Sequence, residues 1–169
     1  PESVMGFDEA VRFTLSWEGE YSADAADPGG ETRWGISKKS YPDLDFTALT
    51  EDEARAIYRR DCWDRLALDR LPDWVSLAVF DTAVNCGPRR AVSFLQRAVK
   101  VYEDGLLGPE TLGKIAGVPP GEVLMEYLAR RAVHYASMPD LAVRFALGWY
   151  RRLLALHQPT LQNFPDHKG

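Results

Sequence analysis

The chain has 169 residues, 46% of them apolar and 27% charged, with a formal net charge of −5. That length fits one domain, or one domain with a small closely packed C-terminal subdomain, and the apolar share suffices for a core. The acidic balance argues against a dedicated nucleic-acid binder and offers no general attraction to an anionic cell wall, and no apolar run approaches the ~20 residues of a membrane helix, so neither nucleic acid nor membrane insertion is expected.

Phe7, Val11 and Leu15 recur at helical spacing, predicting an amphipathic helix over residues 6–18 that carries Glu18 at its C-terminal end. The next stretch is small, acidic and rich in Gly, with Asp27-Pro28-Gly29-Gly30 a strong turn signal. Residues 19–36 read as an irregular loop or short hairpin in which Trp34, Gly35 and Ile36 suit a strand, and residues 37–49 as loop with at most one helical turn. Thr50-Glu51-Asp52-Glu53 has the pattern of a capping box and opens a helix to Asp61 or Trp63. Pro72 begins a largely buried helix ending near Asn85-Cys86-Gly87, Pro88 restarts one through Val99, and Pro109 opens a short one to about Ile115. Val123 to Tyr135 mark a longer helix stopped by Pro139, residues 140–157 form the last helix, and the polar tail from Gln158 reads as extended. The fold class is mainly α, with a small β-hairpin or loop element near Glu18.

Residues 17–36 put one carboxylate at a helix end, a second on a tight turn, and then a hydroxyl, a charge and an aromatic ring at Thr32, Arg33 and Trp34. Glycoside hydrolysis needs such a set: an acid, a group that activates water or steadies charge, and a platform for a sugar ring. Glu18 is the candidate general acid, to be kept protonated by partial burial beside Trp17, Tyr21 and Trp34; its plainer reading is an exposed helix-end residue. Asp24 and Asp27 compete for the second carboxylate and stand even on chemistry alone, since Asp before Pro-Gly-Gly is often a turn former. Thr32 can hold the attacking water or serve as a β-branched strand residue. Water held opposite Glu18 by Asp27 and Thr32 would invert the anomeric centre, with carboxyl groups ~6.5–9.5 Å apart, whereas ~5 Å marks retention.

Asp81 and Asn85, four apart, share one face of an apolar helix and must find partners there, with Gln96 a further polar candidate. A buried bridge to the first helix and sugar binding account for them equally well. Tyr21 and Trp34 suit the cleft or simple packing, Trp17, Trp74 and Trp149 suit the core, and His134 and His157 read as structural or surface residues. The three His and two Cys have no ligand-like spacing, so no metal or other cofactor is expected, and Cys62 and Cys86 are expected to stay reduced.

Glu18-Gly19-Glu20-Tyr21 resembles the Glu-Gly-Gly-Tyr signature of the glycoside hydrolase family 108 muramidases, often found in phage endolysins, with Glu20 standing in place of the second Gly. Asp27-Pro28-Gly29-Gly30-x-Thr32-x-x-Gly35-Ile36 is similar to that family's second motif, and the order Glu18, Asp27, Thr32 is similar to the catalytic Glu-Asp-Thr order of phage T4-type lysozymes. The resemblance runs through residue 100 and more weakly to about residue 155. It implies a lysozyme-like helical fold with a catalytic region over 1–100 and a helical region over 101–169 packed into the same unit. It favours Asp27 over Asp24 and implies an N-acetylmuramidase cleaving the β-1,4 bond between N-acetylmuramic acid and N-acetylglucosamine. Glu18, Asp27 and Thr32 would be catalytic, Tyr21, Trp34, Asn85 and Gln96 would contact substrate, and no cofactor would be needed. The Asn-x-Gly pattern at Asn85 resembles that of helical lysozymes, where such an Asn lines the cleft, leaving Asp81 as structural support.

The stretch Asp104-Gly105-Leu106-Leu107-Gly108-Pro109-Glu110-Thr111 resembles the turn of peptidoglycan-binding modules, although a tight turn before a proline-started helix accounts for the same residues. No basic-then-apolar segment opens the given residues, so the expected setting is a monomeric phage endolysin. It would wait in the bacterial cytoplasm for the membrane to be permeabilised, then act on peptidoglycan glycan strands. A bacterial muramidase assisting a secretion apparatus fits as well. The rival activities are a lytic transglycosylase, a non-catalytic cell-wall-binding protein, and chitinase-like action on a related polymer.

Overall fold

The computed structural model describes residues 6–23 and 30–161. Seven α-helices among the described residues run in the order α1 (Phe7–Glu18), α2 (Glu51–Tyr58), α3 (Asp73–Cys86), α4 (Pro88–Ala98), α5 (Pro109–Ala116), α6 (Pro120–Ala136) and α7 (Pro139–Leu161). Between α1 and α2 lie three two-residue strands, β1 (Tyr21–Ser22), β2 (Thr32–Arg33) and β3 (Ile36–Ser37). The architecture is mainly α with a small β element beside the end of α1, as the residue pattern predicts.

The core gathers around α3. Every residue from Val75 to Ala83 is buried, so this stretch has no solvent face, as expected of a helix enclosed by its neighbours. α1, α4, α6 and α7 all pack against it. Phe7 closes one end with edge-on contacts to Trp63 and Phe80, at 5.7 and 5.8 Å between ring centroids.

Helix starts follow local chemistry. Thr50 and Glu53 form the reciprocal capping box, Thr50 N donating to Glu53 Oε2 at 2.8 Å. α4, α5, α6 and α7 each begin on a proline, which surrenders an amide that has no intrahelical partner in the first turn anyway. Helix ends depart more from expectation. α2 stops at Tyr58 and continues as a π-helical turn, Arg59–Asp64, whose wider winding buries both Cys62 and Trp63. Trp63 then donates its indole N–H to Asp69 Oδ1 at 2.8 Å. α7 runs on to Leu161 instead of stopping before Gln158.

The strands form an antiparallel sheet in the order β1-β2-β3, with Tyr21 opposite Arg33 and Arg33 opposite Ile36. Trp34 and Gly35 are the two-residue turn between β2 and β3, not strand residues, and both have positive φ, 52° and 74°. That pairing of signs matches the right-handed twist of a hairpin.

Candidate active site

Glu18 is the last residue of α1, which Gly19 ends by leaving helical geometry at φ 69°. Its side chain is 20% exposed and lies in a cleft of about 440 Å³ lined also by Thr32, Asn85, Tyr135, Phe145 and Trp149. The cleft therefore draws on α1, the hairpin, α3, α6 and α7. Thr32 and Asn85, singled out from sequence, stand with Glu18 on its walls. Asp27, and Asp24 with it, lies outside the described residues.

Two contacts fix Glu18. Arg152 of α7 donates from Nη1 to Glu18 Oε1 at 2.6 Å. The backbone of Gly35 packs on the aliphatic part, so closely that a Cβ there would lie 2.7 Å from Glu18 Cγ. Beside it Tyr58 donates its hydroxyl to the Trp34 carbonyl at 3.0 Å; burial first, and then the charge of Glu18, pushes that phenol well above its ordinary range. Glu18 Oε2 has no hydrogen-bond partner among the described residues, which leaves one carboxyl oxygen to the cleft.

Behind the cleft lies a buried charge network. Asp81, fully enclosed in α3, accepts from Thr14 Oγ1 at 2.9 Å, from Arg131 Nη1 at 2.7 Å and from Arg152 Nη2 at 2.7 Å. Burial alone would raise its carboxyl; the guanidiniums of Arg152 and Arg131 outweigh that and hold it at about 2. Asp81 is thus an obligate anion that anchors Arg152, and Arg152 in turn holds Glu18. Its bond from Thr14 is the tie between α3 and α1. From Arg131 the network continues outward: Nε donates to the Tyr135 hydroxyl at 2.8 Å, and Tyr135 donates to Asn85 Oδ1 at 2.5 Å. With its carbonyl taken, Asn85 presents its NH₂ to the cleft. Trp149 stacks on Tyr135 with centroids 4.6 Å apart and planes 15° from parallel, so an aromatic wall faces Glu18.

Other sequence candidates fall elsewhere. Tyr21 is 60% exposed on β1 and donates to Glu31 Oε1 at 3.3 Å, away from the cleft lining. Trp34 packs against the core, its indole nitrogen buried with no partner among the described residues. Gln96 is buried and does not line the cleft: its amide serves Asp104 Oδ1 at 2.7 Å, the Leu106 carbonyl at 3.1 Å and the Gly105 amide at 2.9 Å. Its hydrogen bonds are spent in holding the turn from Asp104 to Gly108, which also accounts for Asp104 and Gly105 in that motif. Cys62 and Cys86 are both free thiols.

Arg131, Tyr135, Trp149 and Arg152 are the site residues that the sequence did not bring forward. The available signal was a charge on an apolar stripe: Arg152 sits in register with Phe145, Trp149 and Leu156, and Arg131 with Tyr127 and Tyr135. A buried arginine demands a carboxylate, and Asp81 was the one already noted inside an apolar helix.

Residues 11–87 match the family model described as Glycosyl hydrolase 108. Among solved structures, the chain is similar to "Structure of Brucella abortus SagA", with 30% sequence identity, a TM-score of 0.84, and coverage of 95% of this chain and 97% of that one. No curated protein matches the sequence significantly.

Proposed function

Since the chain belongs to the Glycosyl hydrolase 108 family and is thus a glycoside hydrolase acting on carbohydrate, we propose that its substrate is peptidoglycan and its target the β-1,4 bond between N-acetylmuramic acid and N-acetylglucosamine. The observation that carries this reading is the setting of Glu18: a carboxyl in a polar-and-aromatic cleft, one oxygen held by Arg152 and the other turned to the cleft, with Thr32 on the same walls. Glu18 donates a proton from Oε2 to the glycosidic oxygen as the bond to the leaving sugar breaks. Asp27 and Thr32 hold the water that attacks the anomeric carbon, Asp27 taking its proton. Asn85 hydrogen-bonds the sugar through its NH₂, and the ring pair of Trp149 and Tyr135 supports an apolar sugar face. An endolysin role rests on the sequence resemblance alone.

The test is release of new reducing ends from purified peptidoglycan by the native protein and by Glu18→Gln. The variant should lose activity by roughly 10²–10⁴-fold, the range for removal of a general acid. Equal rates in both would remove Glu18 from the chemistry. Anhydro ends in place of reducing ends would make the protein a lytic transglycosylase, and wall binding without product would make it a binding module.

A further inference from the structure

A second cavity, of about 660 Å³, opens between α4 and α6. Arg89, Arg90 and Arg97 of α4 and Arg130 of α6 line it, against a single carboxylate, Glu103. In a chain of net charge −5 this is a local reversal of sign. Arg97 pairs with Glu103 and Arg130 with Glu126, but neither Arg89 nor Arg90 has a carboxylate at ion-pair distance among the described residues. Arg90 donates from Nη1 to the Cys86 carbonyl at 2.7 Å, which aims its guanidinium without neutralising it. Cys86, Arg90 and His134 line both this cavity and the cleft beside Glu18, so the two meet along those side chains.

We propose that this basic groove binds the carboxylate-bearing peptide branch of the substrate, next to the glycan bond that Glu18 addresses. The inference rests on the peptidoglycan reading above. A groove continuous with the cleft receives a branch of the same molecule. The glycan strand itself is uncharged where its lactyl groups are amide-linked, so the anionic branch is the peptide with its free carboxylates. Guanidinium groups match carboxylates with paired, planar N–H donors, and the hydroxyls of Ser93 and Ser137 on the same walls suit peptide amides. A positive recess on an otherwise acidic surface also draws an anionic branch toward the site.

The variant to make is Arg89→Gln/Arg130→Gln. Gln keeps the Cγ and Cδ positions with which the Arg89 stem covers Gly105, and Arg90 is left intact because it also lines the cleft. Hydrolysis is compared on peptidoglycan with intact peptides and on the same glycan stripped of them by an amidase, with the lactyl carboxylates that this exposes capped again as methylamides. On the intact polymer KM should rise about tenfold with kcat held, the scale of two partly exposed ion pairs; on the stripped glycan the variant should equal the native protein. Arg130→Gln alone, at an exposed position, should give about a threefold rise on the intact polymer. Native cleavage of both substrates with no change in either variant, or with an equal loss on both, refutes the groove while leaving the muramidase reading intact. Failure of the native protein to cleave either substrate refutes both. Competition by soluble polyglycerol phosphate where a free tetrapeptide does not compete assigns the groove to a wall phosphate polymer and overturns the proposal.

Discussion

At Gly35 two constraints coincide: a φ of +74° and the close approach of Glu18 and Tyr58 to the place a Cβ would occupy. Gly35→Ala should therefore cost about 2–4 kcal/mol in urea unfolding, from the left-handed backbone and from overpacking together. Residual activity at a temperature where the variant stays folded should fall more than tenfold, because Glu18 is one of the two side chains, with Tyr58, that must give way; full activity in folded protein would break the link. Trp34 beside it carries a φ of 52°, costly for a bulky residue, and a buried indole nitrogen without a partner among the described residues. At this scale the sequence was legible where chemistry is local. Glu18, Thr32 and Asn85 are read from short motifs and do share the cleft. Gln96 was not legible, because a glutamine that lines a cleft and one that holds a turn look alike until the turn is folded. Arg131 and Arg152 were hidden for a related reason: their partner, Asp81, lies 50 and 71 positions away.

Helix beginnings were more readable than helix ends. The starts of α2 and of α4 to α7 are fixed by one or two adjacent residues, Thr50 with Glu53 or a proline at the first position, and those side chains act on backbone within one turn. Thr50→Ala should accordingly lower stability by about 1 kcal/mol in urea unfolding while leaving hydrolysis unchanged, since the cap lies outside the cleft. A loss of activity at full folding would show that α2 communicates with the site. The end of α2 could not be read in this way. Its π-helical turn is set by what the core gains when Cys62 and Trp63 both turn inward, which is a property of packing and leaves no local mark. The hairpin was half legible: the turn signal Asp27-Pro28-Gly29-Gly30 falls in the connection between the antiparallel β1 and β2, mostly outside the described residues, whereas the β2–β3 turn at Trp34-Gly35 reads as strand, because an aromatic residue with positive φ is a poor advertisement for a turn.

Across the whole molecule, α1, α3, α6 and α7 converge on one cluster of two carboxylates and two guanidiniums, buried at Asp81, Arg131 and Arg152 and open to the cleft at Glu18. Such clusters are expensive to break, because removing one charge strands the others away from water. Asp81 sets its acid limit. Its carboxyl lies at about 2, below the ordinary 3.8, so the folded state gains stability above the ordinary value and loses it as pH falls from there through 2. The loss amounts to about 2 kcal/mol from this one group. Unfolding in urea should show a flat stability between pH 7 and 5 and a fall of at least that size between pH 4 and 2; undiminished stability at pH 2 would mean Asp81 is not held as described.

The contact between Glu18 and Arg152 also orders events in time, since 134 positions separate the two residues. At roughly 5–20 residues per second of synthesis, Glu18 leaves the ribosome on the order of ten seconds before Arg152 is made. For that interval the nascent chain owns the Glu18 carboxyl but not the cation that aims it. The setting of Glu18 is completed only once α7 has been translated, so a chain interrupted before that helix is an unfinished tool.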